Sequence, residues 1–152
     1  MIPPFWSLGY HQSRWGYKNI TYLLNTIESF KKNDLPLDTI WSDIDYMIDY
    51  EDFTIDEEKF PLDQMKEMIK SVHYVPIMDA SIKVGDNSFY NEGKKRGVFV
   101  KDAVGGEYQG KMRAGRSTFV DFFHPNASQY WQDMLSILYE KVQFSGIWLD
   151  MN

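Results

Sequence analysis

An α/β fold with parallel strands is predicted for this 152-residue chain, and three observations predict it. Four apolar segments each end in polar groups, and stretches with helical periodicity separate them. The segment tips Leu8, Asp43 and Met78 recur about every 35 residues, the length of a strand-helix-strand repeat. Two architectures fit this pattern: an open doubly wound sheet, or the first half (about four βα units) of a (β/α)8 TIM barrel with a β-hairpin insertion before the fourth strand. No glycine-rich phosphate loop follows the first segment, which lowers a dinucleotide-binding reading. No helix is expected after the last strand, which favours the barrel half, since a full barrel takes about 250 residues.

The elements follow in order. Phe5-Trp6-Ser7-Leu8 is the first expected strand, before Gly9-Tyr10-His11. Residues 18–32 place Ile20, Leu23, Leu24, Ile27 and Phe30 on one stripe, which predicts a helix. Leu37 to Trp41 is the second strand and leads into Ser42-Asp43-Ile44-Asp45. A helix over 61–72 starts at Pro61, a good first-turn residue, and turns Leu62, Met65, Met68, Ile69 and Val72 to one side. Tyr74 to Met78 is the third strand, before Asp79. The interval from Asp79 to Asp150 is about twice the repeat and is expected to hold an insertion and one helix. In the insertion, residues 97–101 and 107–111 flank Val104-Gly105-Gly106, a hairpin signal. Residues 125–141 start at Pro125 and predict the helix. Gly146 to Leu149 is expected to be a short strand buried on both faces, with Asp150 at its tip.

Composition bounds the function classes. The chain is 43% hydrophobic and 25% charged, a globular balance, with a high aromatic share of 16%. Excess Trp and Tyr either line flat-ring ligand sites, sugars included, or fill a core. A net charge of −6 argues against a nucleic-acid partner, which would want a basic stripe. Lys94-Lys95-Arg96 reads as a solvated turn. There are no cysteines, so disulfides and thiolate chemistry are excluded. No run reaches the ~18 apolar residues of a membrane span, and the N-terminus lacks the basic and apolar regions of a signal peptide.

Strand tips of a barrel converge on one mouth. Here that mouth gathers Trp15, Trp41, Asp43, Asp79, Trp148 and Asp150. Three carboxylates and three indoles suit a sugar: carboxylates accept bonds from hydroxyls, and indoles cover the apolar face of the ring. Glycoside cleavage needs two carboxyl groups across the scissile bond, one of them ionised as nucleophile or base. Each piece has a plainer role open to it. Asp150 could cap a helix, Asp79 a turn, and Trp15 and Trp41 could be core residues. Three acids could also gather a divalent cation, although no histidine or second acid sits at ligand spacing. Only one of Asp43 and Asp45 is expected to turn inward. His11 is expected to order the first loop, and His73 to end a helix.

Several collinear segments resemble glycoside hydrolase family 31, which contains the α-glucosidases. Pro3 to His11 followed by Arg14-Trp15-Gly16-Tyr17 resembles the start of its catalytic barrel. Pro36-Leu37-Asp38 and Trp41-Ser42-Asp43-Ile44-Asp45-Tyr46-Met47 resemble its second strand, and Asp52-Phe53-Thr54 the following loop. Gly146-Ile147-Trp148-Leu149-Asp150-Met151-Asn152 resembles its nucleophile motif, cut before the usual glutamate. The resemblance runs over the whole chain. It implies that residues 1–152 are a partial catalytic barrel, truncated at both ends relative to the family. It implies a retaining hydrolase of terminal α-glucosidic bonds in oligosaccharides, with Asp150 as the nucleophile of a glycosyl-aspartate intermediate. Asp43 would bind hydroxyls of the terminal glucose, and Asp79 would touch the sugar or support that site. Trp15, Trp41, Ile44, Ile77, Trp148 and Met151 would line the subsite. No metal or organic cofactor is implied. The general acid, an arginine and a histidine on the sugar would come from the remainder of the barrel, so the chain alone is expected to be inactive. Lysosome, endoplasmic reticulum and secretion all occur in the family.

One departure concerns specificity. Where the family usually has Lys-Val-Trp-Pro-Gly, this chain has Lys111-Met112-Arg113-Ala114-Gly115. Arg113 would therefore meet the sugar where an indole normally packs, and beside Asp150 it could keep that group ionised; pointing to solvent is its plainer role. Three other assignments stay open: a degenerate, non-catalytic carbohydrate-binding member of the family, an α-xylosidase, and a flavodoxin-like binding domain.

Overall fold

Parallel pairing starts from a short polar strand. In the computed structural model, which describes residues 2–151, β1 (His11–Gln12) pairs with β2 (Thr39–Ser42), β2 with β3 (His73–Asp79), and β3 with β7 (Trp148–Asp150). All three pairings are parallel. Helices connect them, as parallel strands require: α1 (Ile20–Lys32), α2 (Leu62–Met68) and, after a long excursion, α4 (Ala127–Lys141). The result is a parallel half-barrel sheet with helices.

Each helix has a local cause. Asn19 caps α1 by accepting the Tyr22 amide through Oδ1, and Lys31 and Lys32 meet the negative end of the helix dipole. Ile20 and Leu23 bury its inner stripe. In α2 Met65 and Met68 face inward; the chain leaves the helix at Ile69, earlier than the stripe to Val72 predicts, and Val72 is already buried on the way into β3. α4 presents Tyr130, Met134 and Leu138 to the core. Burying each such side chain contributes roughly 1.5–3 kcal/mol. Among the described residues no helix is long and apolar enough to cross a membrane.

The first expected strand is corrected. Residues Phe5–Leu8 form a 3-10 turn in which the Ser7 amide and hydroxyl both reach the Pro4 carbonyl. Phe5 and Leu8 are exposed while Trp6 packs on His73, and pairing is displaced to His11–Gln12. His73 is likewise the first residue of β3 and not a helix end. Its ring stacks on Trp6 at 4.4 Å and its Nδ1 lies 2.9 Å from the Ser145 hydroxyl.

The excursion between β3 and β7 builds a second layer. β4 (Ser81–Lys83) continues from the tip of β3 and pairs antiparallel with β6 (Gly115–Phe119), which pairs with β5 (Gln109–Met112). The hairpin therefore turns at Arg113-Ala114, where Gly115 takes φ +101°. The expected turn at Val104-Gly105-Gly106 closes only a shorter loop with a single bridge, Lys101 to Glu107. Between β4 and β5 lies α3 (Ser88–Arg96), which carries no apolar stripe to announce it. Asn87 caps it and Gly97 ends it at φ +70°. Gly93 faces the Phe99 ring so closely that a Cβ there would lie 2.3 Å from a ring carbon. Lys94, Lys95 and Arg96, expected as a solvated turn, form its last helical turn with both lysines exposed, and Arg96 pairs with both Glu92 and Asp133.

Candidate active site

Strand parity assembles the site. Residues two apart on a strand share a face, and parallel partners point the same way. The register pairs Asp79 with Asp150, Ile77 with Trp148, and Val75 with Trp41. Asp79, Asp150, Trp148 and Trp41 thus lie on one face of the sheet, at or near the carboxyl ends of its strands. The Trp41 and Trp148 rings tilt against one another at 5.6 Å. The Trp41 indole donates to His11 Nδ1 at 3.0 Å, and His11 Nε2 lies 3.2 Å from the Ser7 carbonyl. With Nδ1 accepting, Nε2 carries the proton, and the 3-10 turn is tied to the indole through the imidazole.

Asp43 follows β2 directly and accepts the Ile44 amide at 2.7 Å. Residues 44–46 form a 3-10 turn, so Asp45 swings away and accepts the Gly16 amide at 2.8 Å instead. That bond holds the loop carrying Trp15, a residue that stays 68% exposed, apart from the other two indoles. Ile44 and Ile77 are buried behind the acids, and the Ile77 carbonyl accepts the Tyr46 hydroxyl at 2.8 Å. Met151 is half exposed with φ +53°, a left-handed backbone immediately after Asp150. Asn152, the last residue of the nucleophile motif, lies outside the described residues.

The hairpin brings Arg113 down onto the acids. Its Nη2 donates to Asp150 Oδ2 at 2.7 Å, and its Nη1 stands 3.7 Å from Asp79 Oδ1. Asp150, Arg113 and Asp43 are half-buried, whereas Asp79 is 3% exposed. Asp79 and the loop carboxylate Asp52 form a deeper layer: the Asp79 amide donates to Asp52 Oδ1 at 3.0 Å. Burial pushes the Asp79 carboxyl above its ordinary range; the Arg113 guanidinium opposes that shift, and Asp150 and Asp43 add like-charge repulsion. Asp52 is pushed well above the same range, chiefly by burial, against the pull of the Asp79 amide.

These shifts fix a sign. A carboxyl whose folded value is raised binds its proton more tightly folded than unfolded, so stability falls as pH rises from the ordinary carboxylate range through the raised one. Asp52→Asn keeps the Oδ1 acceptor and removes the buried charge. We expect it to be more stable than the parent at pH 7–8 by about 1–2 kcal/mol, with the difference vanishing on acidification. Urea unfolding of the two chains at pH 4.5 and 7.5 checks this; equal stabilities at both pH values would contradict it.

Asp52 supports the site from 27 residues away, a role the sequence did not suggest; His11, expected to order the first loop, does so through Ser7 and also accepts the Trp41 indole, 30 residues away. A cavity of about 800 Å³ lined by Trp6, Lys66, His73 and Ser145 lies at the amino ends of the strands, opposite the acids.

Similarity to known proteins bears on the family and the fold. The TIM-barrel domain model of glycosyl hydrolases family 31 matches residues 1–152. Glucoamylase 1 of Candida albicans is 44% identical over 164 residues, which cover 99% of this chain and 17% of that protein. Lysosomal acid alpha-glucosidase of Tetrahymena pyriformis is 43% identical over 160 residues, again 99% of this chain and 17% of the relative. Among solved structures, the catalytic subunit complex of ER glucosidase II superposes with a TM-score of 0.90 at 30% identity, over 97% of this chain and 17% of that one. The chain thus spans about a sixth of the length of these relatives. A half-barrel sheet, acids at its strand tips and a family model matching end to end lead to one assignment: the chain belongs to glycosyl hydrolase family 31.

Proposed function

We propose that residues 1–152 contribute the first strands of the barrel of a retaining α-glucosidase, acting within a longer polypeptide, and that Asp150 is its nucleophile. The observation that carries this reading is the position of Asp150: its carboxylate ends a parallel strand level with Asp79 and beside the Trp41–Trp148 pair. The naming of the relatives as glucoamylase and alpha-glucosidase supports the substrate class. Asp43 accepts hydroxyls of the terminal glucose. Trp41 and Trp148 cover its apolar face, with Ile44 and Ile77 behind them and Trp15 and Met151 on the rim. Asp79 supports the floor.

In the first step Asp150 attacks the anomeric carbon as the glycosidic oxygen leaves with a proton from a carboxylic acid outside this chain. In the second, water activated by that same group opens the ester, and two inversions give net retention. The second carboxyl has to stand about 5–5.5 Å from Asp150 for this outcome. The 152-residue chain alone therefore does not turn over an α-glucoside. A lysosomal or endoplasmic-reticulum location is proposed from the names of relatives.

The test is covalent trapping. The full-length polypeptide is treated with 5-fluoro-α-glucosyl fluoride and digested, and the adduct is mapped by mass spectrometry; the anomer first released from a simple α-glucoside is read by proton NMR. A glycosylated Asp150 and an α-product are expected. An adduct on another residue, or a β-product, would sink the mechanism. No adduct and no hydrolysis would favour the non-catalytic carbohydrate-binding reading, for which the Arg113 replacement speaks.

A further inference from the structure

We propose that Arg113 is a positioning residue for the nucleophile: it holds Oδ2 of Asp150, leaves Oδ1 free to attack, and stabilises the carboxylate as it departs from the sugar. This rests on the reading of Asp150 as nucleophile. Three observations carry it. The guanidinium grips one named oxygen of Asp150, at 2.7 Å. It is placed there by a two-residue turn whose strands are fixed to the tip of β3 through β4 and β6, so it does not wander as a free surface side chain would. The other arm, Nη1, is buried without a hydrogen-bond partner, and so is the facing Asp79 Oδ1, 3.7 Å away. The guanidinium thus stands between two carboxylates, bonded to one and poised toward the other.

The charge bookkeeping gives Arg113 a different effect on each step. In glycosylation an Oδ1–C1 bond forms, the C1–oxygen bond to the leaving group breaks, and that oxygen takes the proton of the external carboxylic acid. Asp150 loses its charge, so a cation bonded to Oδ2 favours the reactant and slows this step. Asp79 is then the nearer anion for Arg113. In deglycosylation water adds to C1, its proton returns to the external carboxylate, the Oδ1–C1 bond breaks, and the electron pair returns to Asp150. The cation now favours the leaving carboxylate and speeds this step. A charge-assisted hydrogen bond of this kind changes a rate by about tenfold to a hundredfold. An indole in that place could donate a hydrogen bond but brings no positive charge.

The experiment uses the full-length polypeptide with α-glucosyl fluoride. Fluoride release in the first turnover reports glycosylation, and acid-quenched mass spectrometry of the Asp150 peptide reports ester occupancy. In Arg113→Leu we expect ester hydrolysis to slow by about tenfold to a hundredfold while first-turnover fluoride release is unchanged or faster. The ester then accumulates, and Arg113→Lys recovers part of the loss. Unchanged ester occupancy in Arg113→Leu overturns the proposal, and so does equal slowing of both steps in both variants, which marks general distortion. If the parent forms no ester on Asp150, the nucleophile reading itself has failed; if it does and Arg113 is without effect, only the positioning role has.

Discussion

Asp150→Ala in the full-length polypeptide is expected to lower α-glucoside turnover by at least ~10³-fold while leaving the fold in place. The two halves of that expectation come from different features. Turnover is expected to fail because Asp79, its register partner, is held in the layer beneath by its own amide bond to Asp52 and by burial. Stability holds because the Asp150 side chain is a third exposed and its ion pair with Arg113 is partly solvated, a setting in which ion pairs contribute about 1 kcal/mol or less. The released guanidinium also has Asp79 to turn to, 3.7 Å away. Azide gives the sharper readout. Entering the space left by the carboxylate, it should restore part of the rate and yield a β-glucosyl azide through a single inversion. Retention of more than a tenth of the parent rate by Asp150→Ala, without azide, would falsify the assignment.

The largest effect on stability is expected at Tyr130. Its side chain is fully buried, its hydroxyl donates to the Phe89 carbonyl at 3.0 Å, its ring meets Phe99 edge-on, and Arg96 lies over its face. It joins α4 to α3 and to the segment that leads into the hairpin. Tyr130→Ala removes a whole aromatic ring from a packed position, at about 3–5 kcal/mol. Tyr130→Phe removes only the hydroxyl and leaves one carbonyl short of a donor, about 1–2 kcal/mol. Urea unfolding of the three chains separates these. A loss below ~1 kcal/mol for the alanine variant would mean that this joint is not a single packed unit.

What could be read from the sequence was local. Strands β2, β3 and β7 were legible because apolar runs ending in acids are contiguous, but β7 begins only at Trp148 and leaves Leu149 exposed, against the expectation of burial on both faces. Period two puts Trp148 and Asp150 on one face of β7, but only the register with β2 and β3 adds Trp41 and Asp79 to it. β1 was not legible: it is two polar residues made into a strand by the neighbour they pair with, while the apolar run before it curls into a turn. The hairpin register went to the weaker local signal. Gly105-Gly106 is the stronger turn former, yet β4 lies beside β6 and sets the long pairing through Arg113-Ala114. α3 was missed because its stability comes from an asparagine cap, a glycine end and one close ring contact rather than a stripe. At the site, Arg113 stood out as a departure from the family pattern, and only that resemblance set it beside Asp150; the contact spans 37 residues, which no local pattern encodes.

The handover along β3 has a consequence of its own. β2 pairs with residues 73–76 of that strand and β7 with residues 77–79, so each newcomer joins one step further up, with Pro76, which lacks an amide donor, at the junction. The sheet is a rising stair rather than a level row, and such a climb is the shear that lets tilted strands meet as a cylinder. A slip of a single rung would send Asp150 to the outer wall and bring Leu149 into the hollow. The height of the stair, as much as the identity of the acid, therefore decides whether this polypeptide has a working carboxylate at all.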